Sequence, residues 1–196
     1  MNDDPQWACE RAFTPWVDFE AELRRGGLPL YSLETFTPLR DFDLLGFSLQ
    51  YEVCYTNILT MLDLGGVPLH SKDRTLEHPL VIAGGPGAQN PELLAPFIDL
   101  FVIGDGEESL PWVMDRWMTL KERGGLSRED MIADVVGNTT WAYAPMFYEP
   151  EYHTDGTLAA MQRTRSDVPK EVLACTISRD FDDIPLPARP IVSFVQ

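Results

Sequence analysis

Two short apolar runs, each entering a glycine-rich turn, dominate the pattern of hydrophobic and polar positions. Leu80–Ala83 enters Gly84–Gly87, and Leu100–Ile103 enters Gly104–Glu107. Near-continuous apolar runs of this length are typical of strands in a parallel sheet that is buried on both faces. Because the carboxyl ends of parallel strands meet at one edge of a sheet, we expect both glycine turns at the edge where open α/β folds bind ligands.

The flanking segments alternate between helical and extended patterns. Asn90, Pro91 and Glu92 predict the start of a helix after the first glycine turn, since they suit the N-cap, the first helical position and the helix dipole. The other predicted elements are helices from Thr14–Pro15 to Gly27, from about Tyr55 to Gly65, from Gly106 to Gly124 and from Ser127 to about Val136, and strands at Leu30–Leu33 and Phe42–Leu49.

From Trp141 the pattern changes to that of a β-hairpin. Phe147–Tyr152 and Thr157–Gln162 flank a turn at Asp155–Gly156, and the prolines in Asp180–Pro190 indicate an extended linker. The predicted fold class is α/β, flavodoxin-like or Rossmann-like, with a mostly parallel sheet. The predicted divisions are an α/β domain at 1–137, a hairpin annex at 138–179 and a linker at 180–196.

Composition and charge narrow the classes of function. The 196 residues include 31 acidic and 15 basic side chains, a formal net charge of −16. Such a surface repels phosphate backbones and anionic lipids, so we expect neither a nucleic-acid nor a membrane partner. Cys9, Cys54 and Cys175 lack metal or disulfide spacing, and no apolar run approaches the ~20 residues that span a bilayer. These features predict a cytoplasmic protein.

The first glycine turn supplies three candidate site residues, Gly84, Gly85 and Pro86. Its backbone N–H groups could hold an anion at the start of the predicted helix. It lacks the third glycine of a dinucleotide fingerprint, and Pro86 has no N–H to donate. A tight turn that requires small residues explains the same pattern equally well.

The second turn adds Gly104, Asp105, Gly106 and Glu107. Glu107 and its neighbour Glu108 could simply stabilise the helix dipole, at ~0.3–1 kcal/mol each. Alternatively, Asp105 or Glu107 binds a ligand or another domain, which would also explain the paired glycines. Ser48 and Gln50 end a buried strand at the same edge, either as ordinary capping groups or as part of a shared crevice.

The three histidines do not predict a metal site. Glu151–Gly156 imitates the Asp-x-His-x-x-Gly pattern by which some cobalamin-binding domains supply a histidine to cobalt. Glu replaces Asp here and the segment crosses a predicted hairpin turn, so we interpret His153 as an exposed turn residue. His70 and His78 lie in polar connections without other metal ligands at suitable spacing.

Four internal runs are distinctive when taken together: GFSLQYE at Gly46–Glu52, YTNILTMLDLGGVPL at Tyr55–Leu69, VIAGGPGAQNPE at Val81–Glu92 and VIGDGEE at Val102–Glu108. They resemble a bacterial family of radical S-adenosylmethionine (radical SAM) proteins whose members carry an N-terminal cobalamin-binding-like domain. The resemblance covers nearly the whole chain from about residue 11, and Ile184–Val195 resembles the linker that precedes the radical domain.

The resemblance implies a flavodoxin-like domain in front of a partial barrel, in which a Cys-x-x-x-Cys-x-x-Cys motif holds a 4Fe–4S cluster that cleaves S-adenosylmethionine. This sequence lacks that motif, so the cluster and S-adenosylmethionine are expected only in a downstream domain, and no catalytic residue is assigned here. The family's first strand and helix are expected before this chain. Cobalamin would bind without the usual histidine ligand.

The sequence therefore predicts a cobalamin-binding-like accessory domain that presents a cofactor or small-molecule substrate to its own radical SAM domain. Two alternatives stay open: a nucleotide- or coenzyme-binding Rossmann-like module, and a structural or regulatory cover that binds only its own catalytic domain. The residues predicted to line the crevice are Ser48, Gln50, Gly84, Gly85, Pro86, Gly104, Asp105, Gly106 and Glu107.

Overall fold

The structure is a computed structural model, and it describes residue 2 and residues 4–184. Of the predicted linker, residues 185–196 lie outside this range. The α-helices within it are α1 (Val17–Gly26), α2 (Tyr55–Leu64), α3 (Gly106–Arg123) and α4 (Arg128–Gly137). The strands are β1 (Leu44–Ser48), β2 (Leu80–Gly84), β3 (Leu100–Val102), β4 (Ala142–Tyr143), β5 (Tyr148–Tyr152) and β6 (Leu158–Arg163).

The central sheet is mostly parallel and has the order β1-β2-β3-β4. β1, β2 and β3 are parallel, with Leu44 opposite Leu80 and Ile82 opposite Leu100, and β4 is antiparallel to β3. Val81 and Phe101 are completely buried, as expected for strands that are covered on both faces. The predicted α/β fold class, with its parallel sheet, flanking helices and C-terminal hairpin, is confirmed.

One predicted strand is wrong, and one observed strand was not predicted. Leu30–Leu33 does not join the sheet, because its backbone bonds instead to a nearby turn: Ser32 N donates to Thr37 O and Leu39 N donates to Leu30 O. The fourth strand is the two-residue β4, which is too short to leave a pattern in the sequence. The sheet therefore has three parallel strands and one antiparallel strand, rather than four parallel ones.

The helix predicted after the first glycine turn is also wrong. The connection from β2 to β3 contains only two short 3-10 turns, Pro86–Gln89 and Pro91–Leu93, and Asn90 makes no side-chain cap bond. Pro91 suits a first helical turn, but Pro96 follows five residues later, where a helix would need its missing N–H. The tight connection is tied to the sheet by the Tyr143 hydroxyl, which donates to Glu92 Oε1 at 2.5 Å.

The other four predicted helices are present, although α1 begins at Val17 rather than at Thr14–Pro15, and of these four only α4 has a side-chain N-cap bond. The Ser127 hydroxyl accepts from Asp130 N at the start of α4, and Gly27 ends α1 in the left-handed conformation. The apolar face predicted for α1 is only partly used: Leu23 is buried, whereas Phe19 is 41% and Trp16 78% exposed.

At the amino end of the parallel strands, a buried charge network joins the loops to the sheet. Asp99 directly precedes β3, and its Oδ2 accepts from Val81 N at 2.8 Å and from Arg128 Nη2 at 2.7 Å. Arg74 Nη1 lies 3.1 Å from the same oxygen. The side chains of Asp99 and Arg74 are buried, and that of Arg128 is 9% exposed. The two guanidinium groups also donate to the carbonyl oxygens of Pro68, Leu69, Thr75, His78, Pro79 and Phe97.

The predicted hairpin is confirmed as β5 and β6, which form a separate two-stranded antiparallel sheet. Gly156 adopts a positive φ of 85° in its turn, where His153 N donates to Thr157 O. At the base of the hairpin the Tyr148 hydroxyl donates to Pro169 O at 2.7 Å. The hairpin is therefore anchored at its base.

Candidate functional site at the carboxyl edge of the sheet

The structure brings the predicted site residues to one edge of the sheet. Ser48 ends β1 directly opposite Gly84, which ends β2, and Gly104 follows β3. The three parallel strands thus deliver their exit loops to a common edge, as the sequence predicts. We call this region the carboxyl edge and define it as residues 48–53, 84–90 and 104–108.

The first glycine turn is locked against the exit loop of β1. Leu49 N donates to Gly84 O at 2.7 Å, and Gly87 N donates back to Leu49 O at 2.8 Å. Gly85 has a φ of 92°, and a Cβ at Gly87 would lie 2.6 Å from the Tyr55 hydroxyl oxygen. Backbone conformation and close packing within the chain therefore explain the small residues of this turn.

The same hydrogen bonds use the amide groups that an anion cradle would need. Gly87, Ala88 and Asn90 donate their backbone N–H groups to oxygens of the chain itself, those of Leu49, Gly85 and Gly87. Pro86 has no N–H, and no α-helix follows to add a dipole. The turn is thus a poor match to the phosphate-binding turn of a nucleotide module.

The second glycine turn is held by residues 172–179, which we call the C-terminal strap. Cys175 N donates to Ile103 O at 2.7 Å, and Asp105 N donates to Cys175 O at 2.9 Å. Gly104 has a φ of 102°, and a Cβ there would overlap the backbone of Cys175. Asp105 Oδ2 accepts from Ile177 N at 3.2 Å. The partner of Asp105 in the described residues is therefore a segment of its own chain.

Glu108 is a site residue that sequence reasoning treated only as a helix-dipole group. Its carboxylate accepts from the hydroxyl and the backbone N–H of Ser178 and from the backbone N–H and Nε of Arg179. These hydrogen bonds, the Ser178 hydroxyl first, lower the pKa of Glu108 to about 2. No spacing in the sequence connects Glu108 to residues seventy positions away, so only the fold identifies this contact.

Polar and apolar groups remain exposed along the rest of the carboxyl edge. Gln50 Nε2 donates to the Ser48 hydroxyl at 3.0 Å, and both side chains are exposed. Glu107 is exposed as well. The strand before them is not fully buried as predicted: β1 is an edge strand in which only Leu45 is buried. Tyr51 and Val53, in its exit loop, are 60% and 81% exposed. The sequence analysis missed these two residues, whose only signal is their position at the strand end.

The described residues do not fit a histidine-ligated corrinoid at this edge. His70 packs against the Phe97 ring at 5.2 Å between centroids, and His78 Nδ1 accepts from Thr75 N. His153 lies in the exposed hairpin turn. None of the three belongs to a turn that follows a parallel strand. The described part of the chain also contains no cluster of three or more His, Cys, Asp or Glu residues that could hold a metal ion.

Two surface cavities lie away from the carboxyl edge. One, of about 500 Å³, is lined by Thr75, Leu76, Glu77 and Arg128 near the amino end of the strands. The other, of about 450 Å³, lies between the end of α3, α4 and the segment Arg165–Asp167. The carboxyl edge contributes no lining residue to either.

Residues 1–145 match a known protein family, the N-terminal region of radical SAM proteins. The match covers most of the chain. The protein belongs to this family. No curated protein and no solved structure matches the chain. As a radical SAM N-terminal region, it has the α/β fold and the three strand exits described above, and among its described helices none is long and apolar enough to cross a membrane.

Proposed function

We propose that this accessory domain covers the radical SAM domain of its own protein and that the carboxyl edge is the docking face. The family membership supports a radical SAM partner. Exposed apolar side chains such as Trp16 and Phe36 occur elsewhere too, but Tyr51 and Val53 support the choice of edge because they lie at the exits of the parallel strands, where open α/β folds bind their ligands. The single observation that carries the proposal is this apolar pair beside the polar pair Ser48 and Gln50.

Such a cover has a chemical purpose. The 4Fe–4S cluster and S-adenosylmethionine belong to the downstream domain in this proposal, and the radical formed there needs protection from water and from side reactions. The carboxyl edge closes over that site without contributing a catalytic residue. A cytoplasmic location belongs to the same proposal, because Cys9, Cys54 and Cys175 are free thiols.

The direct test measures the affinity of this chain for the radical SAM domain by isothermal titration calorimetry. The double variant Tyr51→Ser, Val53→Ser removes the apolar pair and is expected to weaken binding about tenfold or more, as for central interface residues. Leu76→Ser, which changes a 43% exposed apolar residue outside the carboxyl edge, is the matched control. Equal affinities for the two variants would contradict the proposal.

Presentation of a cofactor or substrate is the second candidate function. One observation favours it: the Ser48 hydroxyl, the Gln50 amide and the Glu107 carboxylate are exposed at the docking face. These groups can hydrogen-bond the amide groups at the rim of a corrin ring, so cobalamin without a histidine ligand remains the proposed cofactor. The bound cofactor would supply its own alkyl-transfer or redox chemistry.

Ligand titrations separate the candidates. Hydroxocobalamin and adenosylcobalamin are added while the visible spectrum is followed, and nucleotides are added while the melting temperature is followed. A corrinoid spectral change that Gln50→Ala weakens supports presentation of cobalamin. An increase of the melting temperature with nucleotides would instead support the Rossmann-like binding module. If neither titration shows a change but the chain binds the radical SAM domain, the result supports a cover alone.

A further inference from the structure

The hairpin β5–β6 has one apolar and one polar face. The strand register places Pro150 opposite Met161 and Tyr152 opposite Leu158, so these four side chains share one face. Glu149, Glu151 and Gln162 occupy the other, where Gln162 Nε2 donates to Glu151 Oε2 at 2.8 Å. Two-faced strands of this kind normally have their apolar face covered.

Only the base of the apolar face is covered within the described residues. Tyr148 is buried, and Met161 packs partly against the core. Towards the turn, Pro150 is exposed, Tyr152 is 60% exposed and Leu158 is 56% exposed. A two-stranded hairpin without a packed face is marginally stable in water. The apolar face thus continues from the core into solvent without a cover.

The base of the hairpin is nevertheless held rigidly. Arg163 Nη1 donates to Val168 O at 2.8 Å, and Thr164 N donates to Phe147 O at 2.8 Å. Arg165 packs over the Phe147 ring and donates to Asp130 Oδ1 at 3.0 Å. These contacts fix the direction in which the hairpin projects, so its apolar face is presented to a defined place.

We infer that the apolar face of this hairpin binds the radical SAM domain of the same polypeptide, as a second contact in addition to the carboxyl edge. The inference rests on the proposed function. The path of the chain supports this occupant: after the hairpin, Leu173 N donates to Thr140 O, and residues 175–179 run along Gly104–Glu108. The last contacts of the strap with the sheet edge in the described residues are those of Ser178 and Arg179 with Glu108, at the start of α3.

Size and charge argue against a second copy of this chain as the occupant. Three exposed side chains offer far less than the ~800 Å² that each partner of a stable complex buries. Two copies also repel each other, since each carries a net charge of −16. A domain joined through a short linker has an effective concentration of the order of millimolar, at which such a small contact forms.

Hydrogen exchange tests the inference by comparing this chain with the longer polypeptide that includes the radical SAM domain. We expect the hairpin amides at 151–152 and 158–161 to exchange about tenfold more slowly in the longer polypeptide. The variant Tyr152→Ser, Leu158→Ser should abolish the added protection, whereas Glu149→Ser on the polar face should leave it intact. Both changes lie at exposed positions, so neither should shift the melting temperature of this chain.

Amides of the carboxyl edge, at 50–53 and 105–107, are read in the same samples. Protection of the edge without protection of the hairpin overturns the inference and leaves the proposed function standing. Absence of protection at both places overturns both. Hairpin protection in this chain alone that rises with concentration identifies a second copy as the occupant and also overturns the inference.

Discussion

At the amino end of the three parallel strands charged side chains are buried and paired, whereas at the carboxyl end they are exposed or bonded to the C-terminal strap. Asp99, Arg74 and Arg128 form the buried network, and Glu108 forms the contact to the strap. A buried charge that loses its partner is costly, so the amino end tolerates little change. The carboxyl end makes its contacts in water, which leaves it free to bind another surface.

Removal of Asp99 should cause the largest loss of stability, because it removes the shared partner of the buried charge network. In Asp99→Ala two buried guanidinium groups lose their shared carboxylate, and we expect a loss of about 3–5 kcal/mol in the free energy of unfolding, measured by urea denaturation. Asp43→Ala is the control, because it removes an exposed ion pair with Lys121 and should cost at most about 1 kcal/mol. Equal losses in the two variants would refute the contrast between buried and exposed charges.

The next largest effect is expected at the second glycine turn. Gly104→Ala adds a Cβ that overlaps Cys175 at a φ of 102°, so the strap must move, at a cost of about 1–3 kcal/mol. At Gly106 a Cβ would meet nothing within 4 Å. Gly106→Ala should therefore leave stability unchanged or raise it by up to about 1 kcal/mol. Thermal unfolding of the two variants measures the difference, which vanishes if the strap does not pack as described.

A smaller, local effect is expected from protonation of Glu108. Its pKa is lowered from 4.5 to about 2 by bonds to Ser178 and Arg179, so it holds the strap fully above pH 4.5 and releases it as the pH falls through about 2. The protection factors of residues 175–179, which compare observed exchange with the intrinsic rate at each pH, should therefore fall towards pH 2. Glu108→Gln should show fast exchange at neutral pH already, and Glu107→Gln should behave like the original chain. A strap whose protection does not depend on Glu108 would contradict this contact.

How far the sequence predicts the fold depends on how local its causes are. The β1, β2 and β3 strands, the four α-helices and the hairpin follow from periodicity and capping residues that lie within each segment. The false helix after Asn90 came from a good N-terminal signal, which Pro96 overrode. The buried Asp99 within an apolar run was missed, because its partners Arg74 and Arg128 are distant in the sequence.

The structure brings the candidate site residues to one edge, but the sequence accounts for them only in part. The strand exits Ser48, Gly84 and Gly104 meet at one edge because parallel strands must align. The sequence does not show why glycine is needed at these turns, because Leu49, Tyr55 and Cys175 approach the glycines only in the folded chain. Distant contacts of this kind leave no trace in the spacing of residues.

The most direct test of the docking face is the reactivity of cysteines introduced at the two ends of the strands. Val53→Cys and Leu76→Cys are alkylated in this chain and in the polypeptide that includes the radical SAM domain, and mass spectrometry follows each site separately. The account predicts that the domain slows alkylation of Val53→Cys about tenfold or more and leaves that of Leu76→Cys unchanged. Slowing at Leu76→Cys alone, or at neither site, would contradict the claim that the carboxyl edge faces the radical SAM domain.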